Sequence, residues 1–126
     1  MTRRPWRLVA VAASLGALAV ALGAFGAHGL RALVSPERLG TWETAAAYHL
    51  AHALAAALAG AVAAVTGSDL ALWASRLFLA GVLVFSGSLY ALVLLDLPVL
   101  GAVAPIGGLA LIAGWSLLAV AAWRLG

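Results

Sequence analysis

Four long runs without Asp, Glu, Lys or Arg constrain the fold of this chain more than any other feature. The runs cover residues 8–27, 44–66, 77–95 and 97–123. Each reaches or approaches the roughly 20 apolar residues that a helix needs to cross the hydrocarbon core of a bilayer. We therefore predict an all-α protein, a bundle of four transmembrane helices over approximately residues 6–28, 42–66, 71–95 and 98–124.

The composition points to the same class of protein. Hydrophobic residues make up 66% of the chain and charged residues 9%, whereas about a quarter of the residues in soluble domains are charged. The connections between the runs are too short to fold separately, so we predict one integral membrane domain over residues 1–126, surrounded by the lipid bilayer.

The sequence offers little for catalysis. It has no serine elbow, no phosphate loop and no closely spaced pair of carboxylates. It contains no cysteine, which excludes disulfides and cysteine-ligated metal centres. We therefore predict that the protein is not an enzyme and has no cofactor.

The arginines predict the orientation in the membrane. Cytoplasmic loops of membrane proteins carry an excess of positive charge, and in a four-span arrangement five arginines fall on one side and two on the other. This places both termini in the cytoplasm, with helices running up, down, up, down across the bacterial cytoplasmic (inner) membrane. The arginines form no single basic face, so we expect no nucleic-acid partner. The five are Arg3, Arg4, Arg7, Arg76 and Arg124, and the two are Arg31 and Arg38.

The first helix and its end allow more specific expectations. Its basic start also fits a signal peptide, but an apolar run of 20 residues exceeds the 7 to 15 of such signals, so we expect the helix to be retained. Gly29 after His28 is typical of a left-handed helix cap. Ser35, Pro36 and Glu37 suit the start of a short interfacial helix before the second span. Trp42 is expected at the outer boundary with its N–H towards water.

The fourth run is irregular. Residues 98–123 would form an unbroken helix of about 39 Å, longer than the roughly 30 Å hydrocarbon core, and Pro105 interrupts it. Either the helix tilts with a kink, or the span begins at Pro105. Gly107 and Gly108 favour a helix break, and broken helices line binding sites in transporters. The preferred alternative is that Gly107 and Gly114 simply let another helix approach closely.

Polar side chains are predicted to meet in the outer half of the bundle. An unsatisfied polar group in hydrocarbon costs several kcal/mol, so these side chains need partners. We expect His52 to contact residues 86–90 of the third helix or residues 23–28 of the first, and Trp115 to pack mid-span. The predicted polar cluster is His28, Tyr48, His52, Ser86, Ser88 and Tyr90.

Three functions of this cluster remain open. The preferred one is interhelical hydrogen bonding in a structural or binding bundle. The first alternative is a small outward-facing cavity of a solute, proton or ion transporter or channel, because ionisable groups inside membranes are usually functional. The second alternative is haem or metal binding through His28, His49 and His52. A second copy of the chain or another membrane protein would be a compatible partner.

Several short motifs, taken in order, resemble a known family. They are GAFGAHGL at 23–30, Trp42 with Thr44 followed by Tyr48 and His52, FSGSLY at 85–90, PIGG at 105–108 and GW at 114–115. Over nearly its full length the chain is similar to the small bacterial membrane proteins of domain-of-unknown-function family 423, relatives of eukaryotic transmembrane protein 256. The resemblance implies a four-helix integral inner-membrane protein and no established reaction, substrate or cofactor. His49 departs from the family pattern, which more often has glutamine there, so the resemblance does not support a metal role for His49.

Overall fold

The computed structural model describes residues 4–126, most of which are helical. Each of the four α-helices is long and apolar enough to cross a membrane, when the last is counted together with the 3-10 helix that precedes it. The described residues contain no strand. These observations confirm the predicted all-α class with four spans. The helices are α1 (Arg4–His28), α2 (Pro36–Thr66), α3 (Asp69–Leu95) and α4 (Ala104–Leu125), with 3-10 helices at Leu30–Ala32 and Pro98–Ala102.

The helices pack mainly against their neighbours in the chain. Extensive contacts join α1 to α2, α2 to α3 and α3 to α4, whereas α1 and α3 touch only lightly. In the most apolar stretch of α2, half of the residues are buried inside the protein. In the corresponding stretch of α1, only 11% are buried. The bundle is therefore open: α2 and α3 form its centre, and α1 and α4 lie on its flanks in the predicted up-and-down order.

The start of α2 differs from the prediction. Ser35 caps the helix, and its side chain accepts a hydrogen bond from the backbone N–H of Arg38 at 3.2 Å. Pro36 occupies the first helical turn, where its missing N–H costs no hydrogen bond. The predicted interfacial helix is thus continuous with the second span, which begins six residues before residue 42.

The end of α1 also differs. Gly29 has a φ of −78°, in the right-handed region, so the predicted left-handed cap is wrong. The chain continues into a 3-10 turn instead, and this turn buries Leu30 in a cluster with Trp42 and Val93. Burial of the Leu30 side chain therefore favours a 3-10 turn over a left-handed cap after α1. A left-handed glycine does end α2, at Gly67 with a φ of 74°.

The fourth span contains a change of helix type. Residues Pro98–Ala102 form a 3-10 helix, and α4 begins at Ala104 with Pro105 in its first turn. The structure is closer to the second arrangement that the sequence allowed, with the α-helix beginning at Ala104, but the residues before it form a 3-10 helix and belong to the same span. Proline in a first turn leaves no broken hydrogen bond inside the helix, so α4 itself needs no kink at this residue.

Two glycines bring α4 close to α3. A Cβ atom at Gly107 would overlap the backbone nitrogen of Phe85 and lie 2.8 Å from its Cα. A Cβ atom at Gly114 would lie 2.8 Å from the ring of Phe78. Gly108, by contrast, has ordinary space around it, with the nearest atom of Phe85 at 3.9 Å. Lipid gives no hydrophobic drive between helices, so such close packing contributes directly to their association.

Candidate functional site

His52 is buried between α2 and α4 with both ring nitrogens hydrogen-bonded. Its Nδ1 is 2.8 Å from the backbone carbonyl oxygen of Tyr48, and its Nε2 is 3.0 Å from the indole Nε1 of Trp115. An indole N–H only donates and a carbonyl only accepts. His52 is therefore a neutral imidazole with its proton on Nδ1, donating to Tyr48 and accepting from Trp115.

The partner of His52 is not the one predicted. His52 is 8% exposed, so its ring lies inside the protein as expected. It bonds to Trp115 of α4, however, and not to residues 86–90 or 23–28. The signal that could have indicated this pairing is the indole itself, because a tryptophan N–H away from water usually finds an acceptor. The mid-span position of Trp115 in the sequence predicts packing alone.

The aromatic rings around His52 form a continuous cluster. The ring of Tyr48 stacks on His52 at 5.7 Å between centroids and lies 4.9 Å from the ring of Phe85. Trp115 meets the ring of Phe78 edge to face at 5.0 Å. Such aromatic pairs add roughly 0.5–1.5 kcal/mol beyond the area that they bury. This aromatic cluster links α2, α3 and α4 on one side of the bundle.

His49, one turn before His52, makes a separate contact with α3. Its Nδ1 is 2.9 Å from the hydroxyl oxygen of Tyr90, and the residue is 3% exposed. Its Nε2 is the one buried side-chain nitrogen or oxygen that has no hydrogen-bond partner among the described residues. The sequence suggests His49 only as a metal ligand and does not indicate this pairing with Tyr90.

Two serines tie α3 to the backbone of α2. Ser86 Oγ donates to the carbonyl oxygen of Ala45 at 2.8 Å, and Ser75 Oγ donates to that of Ala56 at the same distance. Ser88 instead bonds to the Phe85 carbonyl of its own helix. Ser75 was missed because it precedes Arg76, outside the uncharged run, although serine is a common interhelical donor in membranes.

Trp42 also forms a buried interhelical bond. Its Nε1 donates to the carbonyl oxygen of Leu22 on α1 at 2.8 Å, and the residue is 1% exposed. The expectation of a water-facing indole N–H is therefore wrong. Gly26 makes the contact possible, because a Cβ atom there would lie 2.5 Å from the Trp42 ring. The ring in turn packs 4.6 Å from that of Tyr90.

The predicted polar cluster is thus only partly assembled. Tyr48 stacks on His52, whereas Tyr90 contacts His49 and Ser86 bonds to the α2 backbone. His28 is exposed at the end of α1 and forms no side-chain hydrogen bond with the described residues, so the structure does not bring it into the cluster. The described residues contain no group of three histidines, cysteines or carboxylates that could hold a metal ion, and His28, His49 and His52 do not converge.

An ion pair joins the two central helices where α2 begins and α3 ends. Arg38 Nη2 is 2.9 Å from Asp96 Oδ1, connecting the start of α2 with the residue that follows α3. The Asp96 side chain is 83% exposed, so the pair contributes at most about 1 kcal/mol. It aligns the two helix ends without adding a charged group to the interior.

Four apolar helices joined by buried hydrogen bonds define a small multi-pass helical membrane protein. Residues 22–108 match the model of the family described as "Protein of unknown function (DUF423)". The chain belongs to this family, as the motifs indicated.

Named relatives cover most of the chain. It is 45% identical over 114 residues to a UPF0382 membrane protein of Staphylococcus aureus (strain bovine RF122 / ET3-1), covering 87% of this chain and 93% of the relative. It is 43% identical over 109 residues to UPF0382 membrane protein YwdK of Bacillus subtilis (strain 168), covering 83% and 86%. Neither name states an activity. No solved structure matches the chain at a significant level.

Proposed function

We propose that this protein is a structural or binding bundle of the bacterial cytoplasmic membrane, and that its buried polar side chains hold the helices together. The observation that carries this proposal is the complete hydrogen bonding of the His52 side chain. Both ring nitrogens are engaged at 2.8 and 3.0 Å, one by a backbone oxygen and one by an indole. A side chain held in this way has no free position for a proton, ion or solute.

The serines support the same proposal. Ser75 and Ser86 both donate to backbone carbonyl oxygens of α2, and each such interhelical bond contributes on the order of 0.6 kcal/mol. A transporter needs polar groups that face a path and exchange their partners during transport. The transporter alternative therefore rests on His49, whose Nε2 has no hydrogen-bond partner among residues 4–126.

A flux measurement separates the two functions. Purified protein in liposomes with an imposed pH gradient should dissipate the gradient no faster than empty liposomes, as followed by an internal pH-sensitive dye. His52→Ala should leave this rate unchanged and should lower the resistance of the protein to unfolding. Proton flux above the empty-liposome rate that falls in His49→Ala would instead support the transporter.

A further inference from the structure

The light contact between α1 and α3 leaves a groove above the middle of α2. The groove has a volume of about 160 Å³. Leucines of α1, among them Leu15 and Leu18, form one wall, and Leu83 and Gly87 of α3 belong to the other. His49 and Tyr90, the hydrogen-bonded pair, also line it.

The groove opens sideways, towards lipid. Leu18 and Leu83 on its two walls are 48% and 64% exposed. A Cβ atom built at Gly87 would meet no other atom within 4 Å, so the space beside this glycine is free. All three residues lie within membrane-spanning helices. An occupant of the groove must therefore enter from the hydrocarbon phase.

The hydrogen bonding of His49 defines what the occupant must offer. If Tyr90 donates its hydroxyl proton to Nδ1, the ring carries its own proton on Nε2, and only that N–H lacks a partner. If Nδ1 donates instead, both Nε2 and the Tyr90 hydroxyl proton are left unpaired. Because each unpaired buried polar group is costly, the first arrangement is favoured. The missing partner is then a hydrogen-bond acceptor.

None of the described residues completes a hydrogen bond with this N–H. The carbonyl of Leu15 faces the His49 ring from α1, but it forms no hydrogen bond of ordinary geometry with Nε2. Nε2 is buried, so an acceptor in the groove reaches it only when a lining side chain, such as Leu15 of α1, moves aside. Since α1 is the least buried of the four helices, such a shift disturbs little other packing.

Depth and charge restrict the ligand further. His49 lies five residues, about 7 Å of helix, below the start of the uncharged run at Thr44, whereas the polar groups of phospholipids stay in the interfacial layer. No charged residue lines the groove, and an unpaired charge there would be strongly disfavoured. We propose that the groove binds an uncharged, lipid-soluble carbonyl compound whose oxygen accepts a hydrogen bond from His49 Nε2–H.

Benzophenone is a suitable probe, because its ketone oxygen is the acceptor and its irradiated carbonyl carbon bonds covalently to nearby C–H groups. With purified protein in lipid nanodiscs, we expect adducts on the groove leucines, located by mass spectrometry of peptides. Gly87→Leu should fill the groove and reduce these adducts severalfold. Gly40→Leu is the matched control, because Gly40 is another helical glycine with no atom within 4 Å of its Cβ position, far from the groove; it should leave the adducts unchanged.

Substitutions at His49 test the hydrogen bond to the ligand separately from the volume of the groove. His49→Leu should reduce groove adducts roughly fivefold, the ratio expected for one net hydrogen bond, and His49→Gln, which keeps an N–H donor, should restore part of the labelling. Circular dichroism checks that each variant folds. Equal groove labelling in Gly87→Leu and wild type would overturn the site. Groove labelling that is unaffected by His49→Leu would overturn the carbonyl assignment and indicate a plain hydrocarbon occupant.

Discussion

Trp115 Nε1 donates a hydrogen bond to His52 Nε2 across 3.0 Å, and this bond joins α4 to α2 across the face of α3. The helices α2 and α4 otherwise share little packing. The two rings also meet edge to face, with centroids 5.9 Å apart. This directional contact adds a link to α2 to the extensive packing of α4 against α3.

Removing the indole N–H should destabilise the protein. Trp115→Phe leaves His52 Nε2 without a donor, so we expect the free energy of unfolding to fall by about 1 kcal/mol, the usual scale for a lost hydrogen bond. Denaturation with increasing SDS in mixed micelles measures this change. Trp123→Phe is the control, because Trp123 is 88% exposed, and it should have little effect. In the double variant with His52→Phe, the two losses should not add, because they remove the same bond. Equal stabilities of Trp115→Phe and Trp123→Phe would contradict the role of the bond.

The contact between α3 and α4 should be sensitive to one methyl group. Gly107→Ala would force its Cβ into the backbone of Phe85, which cannot move aside, so we expect a loss of about 1–3 kcal/mol from overpacking. Gly108→Ala, on the next residue, has 3.9 Å to the nearest ring atom. It should be neutral or stabilising by up to about 1 kcal/mol, since alanine favours the helix. The same SDS titration compares the two variants, and similar stabilities would show that the helices are not in close contact.

The orientation in the membrane can be tested with single cysteines, because the chain has none of its own. Leu33 lies between α1 and α2 and is 75% exposed, so Leu33→Cys should react with a membrane-impermeant thiol reagent in intact cells. Gly126→Cys should react only after the cells are lysed, because the excess of arginine on its side predicts a cytoplasmic terminus. Labelling of Gly126→Cys from outside, with Leu33→Cys protected, would reverse the orientation.

The sequence alone predicts the four spans, because crossing the hydrocarbon core requires a continuous apolar run of fixed length and this property can be counted along the chain. It also predicts that glycines of α4 allow close approach, and Gly107 and Gly114 do contact α3. The helix starts were less accurate. Ser35 and Pro36 were recognised as a start signal, but whether that turn is continuous with the next span depends on packing that the signal does not describe.

Only the tertiary structure decided which polar groups meet. Counting residues fixes the depth of His52, but helices that are apolar on nearly all sides carry no periodic pattern to indicate which face is turned inward or which helix lies there. Residues at similar depth on α1, α3 and α4 were therefore equivalent in the sequence. The close approach of α4 to α3 and the 3-10 turn before Ala104 bring Trp115, rather than residues 86–90, to the His52 ring. In the same way, the packing of α2 against α3 places the Tyr90 hydroxyl beside the His49 ring. The packing of α1 against α2 buries the indole of Trp42.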